Sequence, residues 1–92
     1  MRRGAGRKLQ ELARFHQVPC VTHLPQVAAF ADRQFAIVKE TDAKAGSTVT
    51  VVRRVEGEER LAELCRMLGA APDDGAARSH AEGLLTRAGR PA

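Results

Sequence analysis

Residues 16–32, HQVPCVTHLPQVAAFAD, decide how the rest of the chain is read. Val18-Pro19-Cys20-Val21 is an unbroken apolar run that reaches Thr22 and stops at His23. Leu24-Pro25-Gln26 follow, and then the helix-like stretch Val27–Asp32. An apolar run without alternation is the pattern of a strand covered on both faces, as in a parallel sheet. Pro25 suits the first turn of a helix, where its missing N–H costs nothing. The segment therefore predicts a strand over Val18–Thr22, then a helix from Pro25 to about Asp32. His23 falls beyond the carboxyl end of that strand, where open α/β sheets bind their ligands.

Working outward, Leu9, Leu12 and Ala13 recur at helical spacing between Gly6 and Phe15, with Arg7, Lys8, Glu11 and Arg14 turned away. On the other side, Gln34–Glu40 alternates as a second strand, with Phe35 and Ile37 on one face and Ala36 and Val38 on the other. Thr41–Gly46 is a polar, small-residue turn, and the β-branched stretch Ser47–Val55 returns antiparallel with one wet face. Glu56, Glu58 and Glu59 stand at the start of the next helix, where the macrodipole favours carboxylates. Leu61, Leu64, Cys65 and Leu68 form its apolar stripe, and Gly69 stops it. After a linker over Ala70–Asp74, with Asp73 or Asp74 as N-cap, a last helix over Gly75–Ala88 turns Ala77, Ala81, Leu84, Leu85 and Ala88 inward. The fold expected is α/β in the order α-β-α-β-β-α-α, a parallel strand plus an antiparallel hairpin with flanking helices.

Ninety-two residues make one small domain. Residues 1–5 are expected to be disordered and 89–92 to form a tail. The apolar fraction of 43% argues for a packed core, and with Phe15, Phe30 and Phe35 as the only aromatics that core must rest on Leu, Val, Ile and Ala. The net charge of +4 makes an acidic or nucleic-acid partner conceivable. Much of the excess sits in Arg2, Arg3, Arg7, Lys8 and Arg14, which also reads as the solvated face of an amphipathic helix. No row of aromatic stacking platforms accompanies it, as single-strand binding ordinarily requires. Cys20 and Cys65 show no CxxC or paired metal-ligand spacing and read as buried, reduced thiols. No apolar stretch approaches the ~18 residues of a membrane span, and the basic N-terminus runs into no signal-peptide core. A cytoplasmic protein without membrane partners is expected.

His23 is the one candidate for a reacting or phosphate-contacting group. A neutral imidazole can donate one hydrogen bond to a phosphate oxygen while its other nitrogen is held by a neighbour, and a helix start at Pro25 would favour an anion nearby. The other reading is a histidine hydrogen-bonded within its loop. His16 sits at a helix end, and His80 is expected to pack half-buried on the last helix. There is no GxxxxGK[ST] loop, no apolar strand ending in adjacent carboxylates, no GxSxG and no telling Cys–His pair. Asp73-Asp74 follows no apolar strand and reads as a helix cap. A complete active site is not present.

The segments VTHLPQVAAFAD and GEERLAELCRMLGA, within a likeness running from about Gly6 to Leu85, resemble the C-terminal end of the RecN family of bacterial DNA repair proteins, in the SMC-like branch of the ABC ATPases. The resemblance implies that the chain is a single partial domain, the C-terminal part of an ABC-type ATPase head built from both ends of a longer chain joined by a coiled coil. It implies ATP and Mg as cofactors, head–head engagement around ATP, DNA as the partner of the intact protein, a nucleoid-associated cytoplasmic location and a role in recombinational repair of double-strand breaks. His23 matches the family's switch histidine, which approaches the γ-phosphate. The family's phosphate loop, signature motif and acidic pair have no counterpart in these residues, so the isolated chain is expected to bind ATP weakly or not at all and to hydrolyse none. Pro19 stands where the family has an aliphatic residue, and it removes a ladder donor from the expected strand. Two other readings remain: a freestanding basic binding or regulatory module without catalysis, and a degenerate, non-functional product.

Overall fold

The computed structural model describes residues 2–90, with side chains from Gly4 onward. Six elements follow in the order α1 (Arg2–Leu12), α2 (Pro25–Ala28), β1 (Gln34–Asp42), β2 (Ser47–Val55), α3 (Glu58–Met67) and α4 (Gly75–Arg87). The chain is mixed α/β, but the order is α-α-β-β-α-α. The strand expected over Val18–Thr22 is not formed, and that segment carries no regular secondary structure. Helix α1 begins at Arg2, so residues 2–5, expected to be disordered, make its first turn, and it ends at Leu12 rather than Phe15. Helix α2 starts at Pro25 as expected but is four residues long.

The hairpin is set by its turn. The Asp42 carboxylate accepts the backbone N–H of Lys44 at 2.9 Å and of Ala45 at 3.3 Å, while the Gly46 N–H closes onto the Asp42 carbonyl at 2.8 Å. Gly46 takes φ of 65°, a conformation that side chains resist and glycine adopts freely. From there the strands pair antiparallel without a bulge, Asp42 opposite Ser47 through Gln34 opposite Val55. Only the base of the hairpin enters the core, through Gln34, Ala36 and Val55. The register places Phe35, Ile37 and Val52 on one face, and all three are exposed; Val38 and Val49 are exposed on the other. Both faces are therefore wet over most of their length, where one covered face was expected.

The core lies among α2, α3 and α4. Ala28, Ala29 and Phe30 meet Leu61, Leu64 and Cys65 of α3 and Ala81, Leu85 and Ala88 at the end of α4. The i, i+3, i+4 spacing of these residues turns one stripe of each helix inward. Asp74 caps α4 by accepting the Ala77 N–H at 3.0 Å. Helix α3 carries Glu58 and Glu59 in its first turn, and α3 and α4 end in the same way. The N–H of Ala70 reaches back to the Cys65 carbonyl at 3.0 Å, and that of Arg90 to the Leu85 carbonyl at 2.8 Å, across Gly69 and Gly89 at positive φ. These closures satisfy carbonyls that the helix ends would otherwise leave open.

Helix α1 is held by Gly6, which lies against the Phe30 ring, and by Gln10, whose Nε2 donates to the Ala88 carbonyl at 3.1 Å. The Arg7 guanidinium lies 5.5 Å from the centre of the same ring. Arg90 donates to the Phe30 carbonyl at 3.2 Å and pairs with Asp32 at 2.7 Å; of the tail expected over residues 89–92, residues 91–92 lie outside the described residues.

Candidate functional site

His23 lies in a bend between the irregular segment 17–22 and α2, with its side chain exposed. The bend has a local cause. Thr22 Oγ1 accepts the Leu24 N–H at 3.0 Å, which turns the chain around His23 before Pro25 fixes the start of α2. Among the described residues, the His23 side chain makes no hydrogen bond or ion pair. Helix α2 offers only four residues, and its N-cap, Leu24, supplies no side-chain cap, so the aligned dipoles expected near His23 amount to little.

The missing strand has a physical explanation. A strand buried on both faces needs a hydrogen-bonded neighbour and covering layers, and the sheet among the described residues is two-stranded, β1 with β2. Pro19 lacks an N–H to offer a ladder. Pro19, Cys20 and Val21 of the apolar run are therefore exposed, Val21 by 92%, while Val18 is half-buried. Cys20, expected to be buried, is exposed, whereas Cys65 is fully buried. His80 is also exposed on α4 rather than half-buried. His16 follows the end of α1 and donates its backbone N–H to the Leu12 carbonyl at 3.1 Å. Asp74 is a helix cap, as its position after a linker implied.

His23 offers one imidazole, and no group of three His, Cys, Asp or Glu side chains among the described residues could hold a metal ion. No described helix is long and apolar enough to cross a membrane.

The structure does bring together residues that the sequence did not single out. Arg60, in the first turn of α3, is 5% exposed. Its Nε donates to Gln34 Oε1 at 3.0 Å, and its Nη2 faces the carbonyls of Ala28, Ala29 and Ala31 at 3.4, 3.3 and 2.9 Å. Burial, and next the charge of Arg90, lower the pKa of Arg60, against a smaller opposing effect of Asp32. Arg60 thus closes the C-terminal end of α2 and ties it to β1. Arg33, Arg54 and Arg90 border the same hollow. Nothing in the linear pattern joins these four arginines, which come from four different segments.

No protein-family model matches the chain. Among curated proteins it is 54% identical over 83 residues to the DNA repair protein RecN of Streptomyces coelicolor, covering 90% of this chain and 14% of that protein. It is 49% identical over 83 residues to DNA repair protein RecN of Mycobacterium tuberculosis, again 90% of this chain and 14% of the relative. To DNA repair protein RecN of Bacillus subtilis it is 40% identical over 81 residues, 88% of this chain and 14% of the relative. The chain belongs to the RecN family, as a C-terminal portion. It spans about one-seventh of the length of the RecN proteins it matches.

Proposed function

We propose that this chain serves ATP-dependent DNA repair as the C-terminal part of a RecN ATPase head, to which it brings His23. The observation that carries the reading is the identity of 54% over 90% of the chain to a protein named for DNA repair. In this reading the head belongs to the ABC type, and ATP with Mg is bound mainly by residues of the remainder of the protein. His23 donates an imidazole N–H to an oxygen of the γ-phosphate, and its exposure leaves it accessible to that contact. The open segment 18–21 and the exposed apolar faces of the hairpin are the surfaces that the remainder of the head covers. DNA is bound by the intact protein, and two heads engage around the nucleotide. Alone, the chain neither holds ATP at micromolar concentration nor turns it over.

The test is reconstitution. The S. coelicolor RecN protein lacking its matching C-terminal residues is mixed with this chain, and complex formation and ATP hydrolysis are measured separately. The expected result is a complex with turnover that neither part shows alone. His23→Ala should retain the complex and lose at least 10-fold in turnover. Micromolar ATP affinity or turnover by the chain alone, failure to form the complex, or full turnover with His23→Ala would overturn the proposal.

A further inference from the structure

The corner before β1, the end of β2, the first turn of α3 and the residues after α4 converge on one hollow of about 210 Å³. Its charged lining is Arg33, Arg54, Arg60 and Arg90 against Asp32 and Glu56, an excess of two positive charges. We propose that this hollow is a binding site for a phosphate group, taken up as a tetrahedral oxyanion between the guanidinium groups. The site is separate from His23 and does not depend on the reading proposed for that residue.

Three observations carry the inference. First, the cations are not consumed by structural pairing. Arg60 uses Nε and Nη2 within the fold, but no described residue accepts from its Nη1, which leaves two donors. Arg33 is exposed and makes no ion pair among the described residues. The link between Arg54 and Glu56, at 3.7 Å between two largely exposed side chains, is too loose to hold Arg54 in place. Asp32 engages Arg90 through one guanidinium nitrogen, Nη1, at 2.7 Å.

Second, the site is built on a fixed base. Arg60 is nearly fully buried and anchored on four oxygens, so its free edge is presented without further ordering. Proximity of Arg90 disfavours the charge on Arg60, and an anion between them would relieve that repulsion. Third, size and chemistry select the ligand. Pockets for drug-sized molecules run to about 300–1,000 Å³, so this hollow suits a small group rather than a whole nucleoside. Planar guanidinium forks match the paired oxygens of phosphate, and an excess of two cations suits an anion of one or two charges.

The phosphate could be inorganic phosphate or a phosphodiester of a nucleic-acid backbone, and the experiment separates the two. The ¹⁵N-labelled 92-residue chain is titrated with inorganic phosphate at constant ionic strength against sodium chloride, following arginine Nε–H signals and the melting temperature. Saturable binding in the millimolar range is expected, with a rise in melting temperature. The exposed pair R33Q/R54Q should weaken binding at least 10-fold while keeping the helical circular dichroism. R7Q/R14Q, which removes the same charge from α1 and the turn after it, should leave binding unchanged. A parallel titration uses a 12-base-pair DNA duplex. Displacement of the duplex from the same arginines by phosphate assigns the backbone as the source, and a response to phosphate but not duplex assigns the free anion. A non-saturating response, a response equal to that of chloride, or equal loss in both double variants would overturn the proposal.

Discussion

Arg60 donates from Nε to Oε1 of Gln34 at 3.0 Å, and these are the only two polar side chains that the described core encloses. The pair joins α3 to the base of the hairpin, and the other edge of Arg60 closes the carbonyls at the end of α2. Arg60→Leu would leave those oxygens buried and unpartnered, and a loss of about 2–4 kcal/mol in unfolding free energy is expected. Arg60→Lys should recover little of it, because a single ammonium cannot span Gln34 and the α2 carbonyls together. Urea denaturation followed by circular dichroism measures both variants; a loss below about 0.5 kcal/mol for Arg60→Leu would refute the bracing role.

Gly6 brings α1 onto α2. A Cβ built at this position would stand 2.4 Å from Cδ2 of Phe30, whose ring is buried. Alanine is ordinarily better than glycine in a helix by about 1 kcal/mol. Here the overpacking outweighs that gain, and Gly6→Ala should destabilise by about 1–3 kcal/mol. Combining it with Phe30→Leu should give less than the sum of the single losses, since the smaller side chain removes the clash. A double-mutant cycle by thermal melting decides this, strict additivity counting against the contact.

The two thiols should separate cleanly in reactivity. Cys20 is exposed in the irregular segment and Cys65 is fully buried between helices. With a colorimetric disulfide reagent, one thiol should react within seconds in native buffer and the second only when urea opens the core. Cys20→Ser should abolish the fast phase. In complex with the remainder of a RecN head, the fast thiol should slow by an order of magnitude or more; unchanged reactivity would mean that segment 18–21 is not covered there.

The hairpin should be the sticky part of the molecule. Phe35, Ile37 and Val52 form an exposed apolar face, and both strands of a two-stranded sheet are edges. F35T/I37T places β-branched side chains at two exposed positions and touches nothing in the core, so the melting temperature should move little. Self-association in sedimentation velocity should fall, and association with the remainder of the RecN head should weaken. Unaltered behaviour in both assays would assign the association to another surface.

Asp74 is a local feature with a local cost. Its carboxylate accepts the Ala77 N–H at 3.0 Å, and Asp74→Ala should cost about 1 kcal/mol by urea denaturation, while Asp74→Asn should be close to neutral. Equal loss in both variants would point to charge rather than capping.

Much of the architecture was legible along the chain because its causes are local. The turn at Asp42–Gly46, the hairpin ends at Gln34 and Val55, the stop at Gly69 and the cap at Asp74 each depend on side chains a few residues apart. The apolar stripes of α3 and α4 follow from helical periodicity in the same way. Val18–Thr22 failed as a strand because its pattern describes an environment, covered on both sides, that neighbouring strands must supply. Cys20 is exposed for the same reason, and His80 is exposed on an alanine-rich helix whose faces differ little in the sequence. The sequence by itself determined the RecN kinship, the hairpin, the core helices and the place of His23 just before the helix that Pro25 starts, all through short-range spacing and residue identity. Only the tertiary structure decided that the segment before His23 lies open and that Arg33, Arg54, Arg60 and Arg90 share one hollow. Strand pairing and charge convergence join residues distant along the chain, and no local pattern specifies which of them will meet.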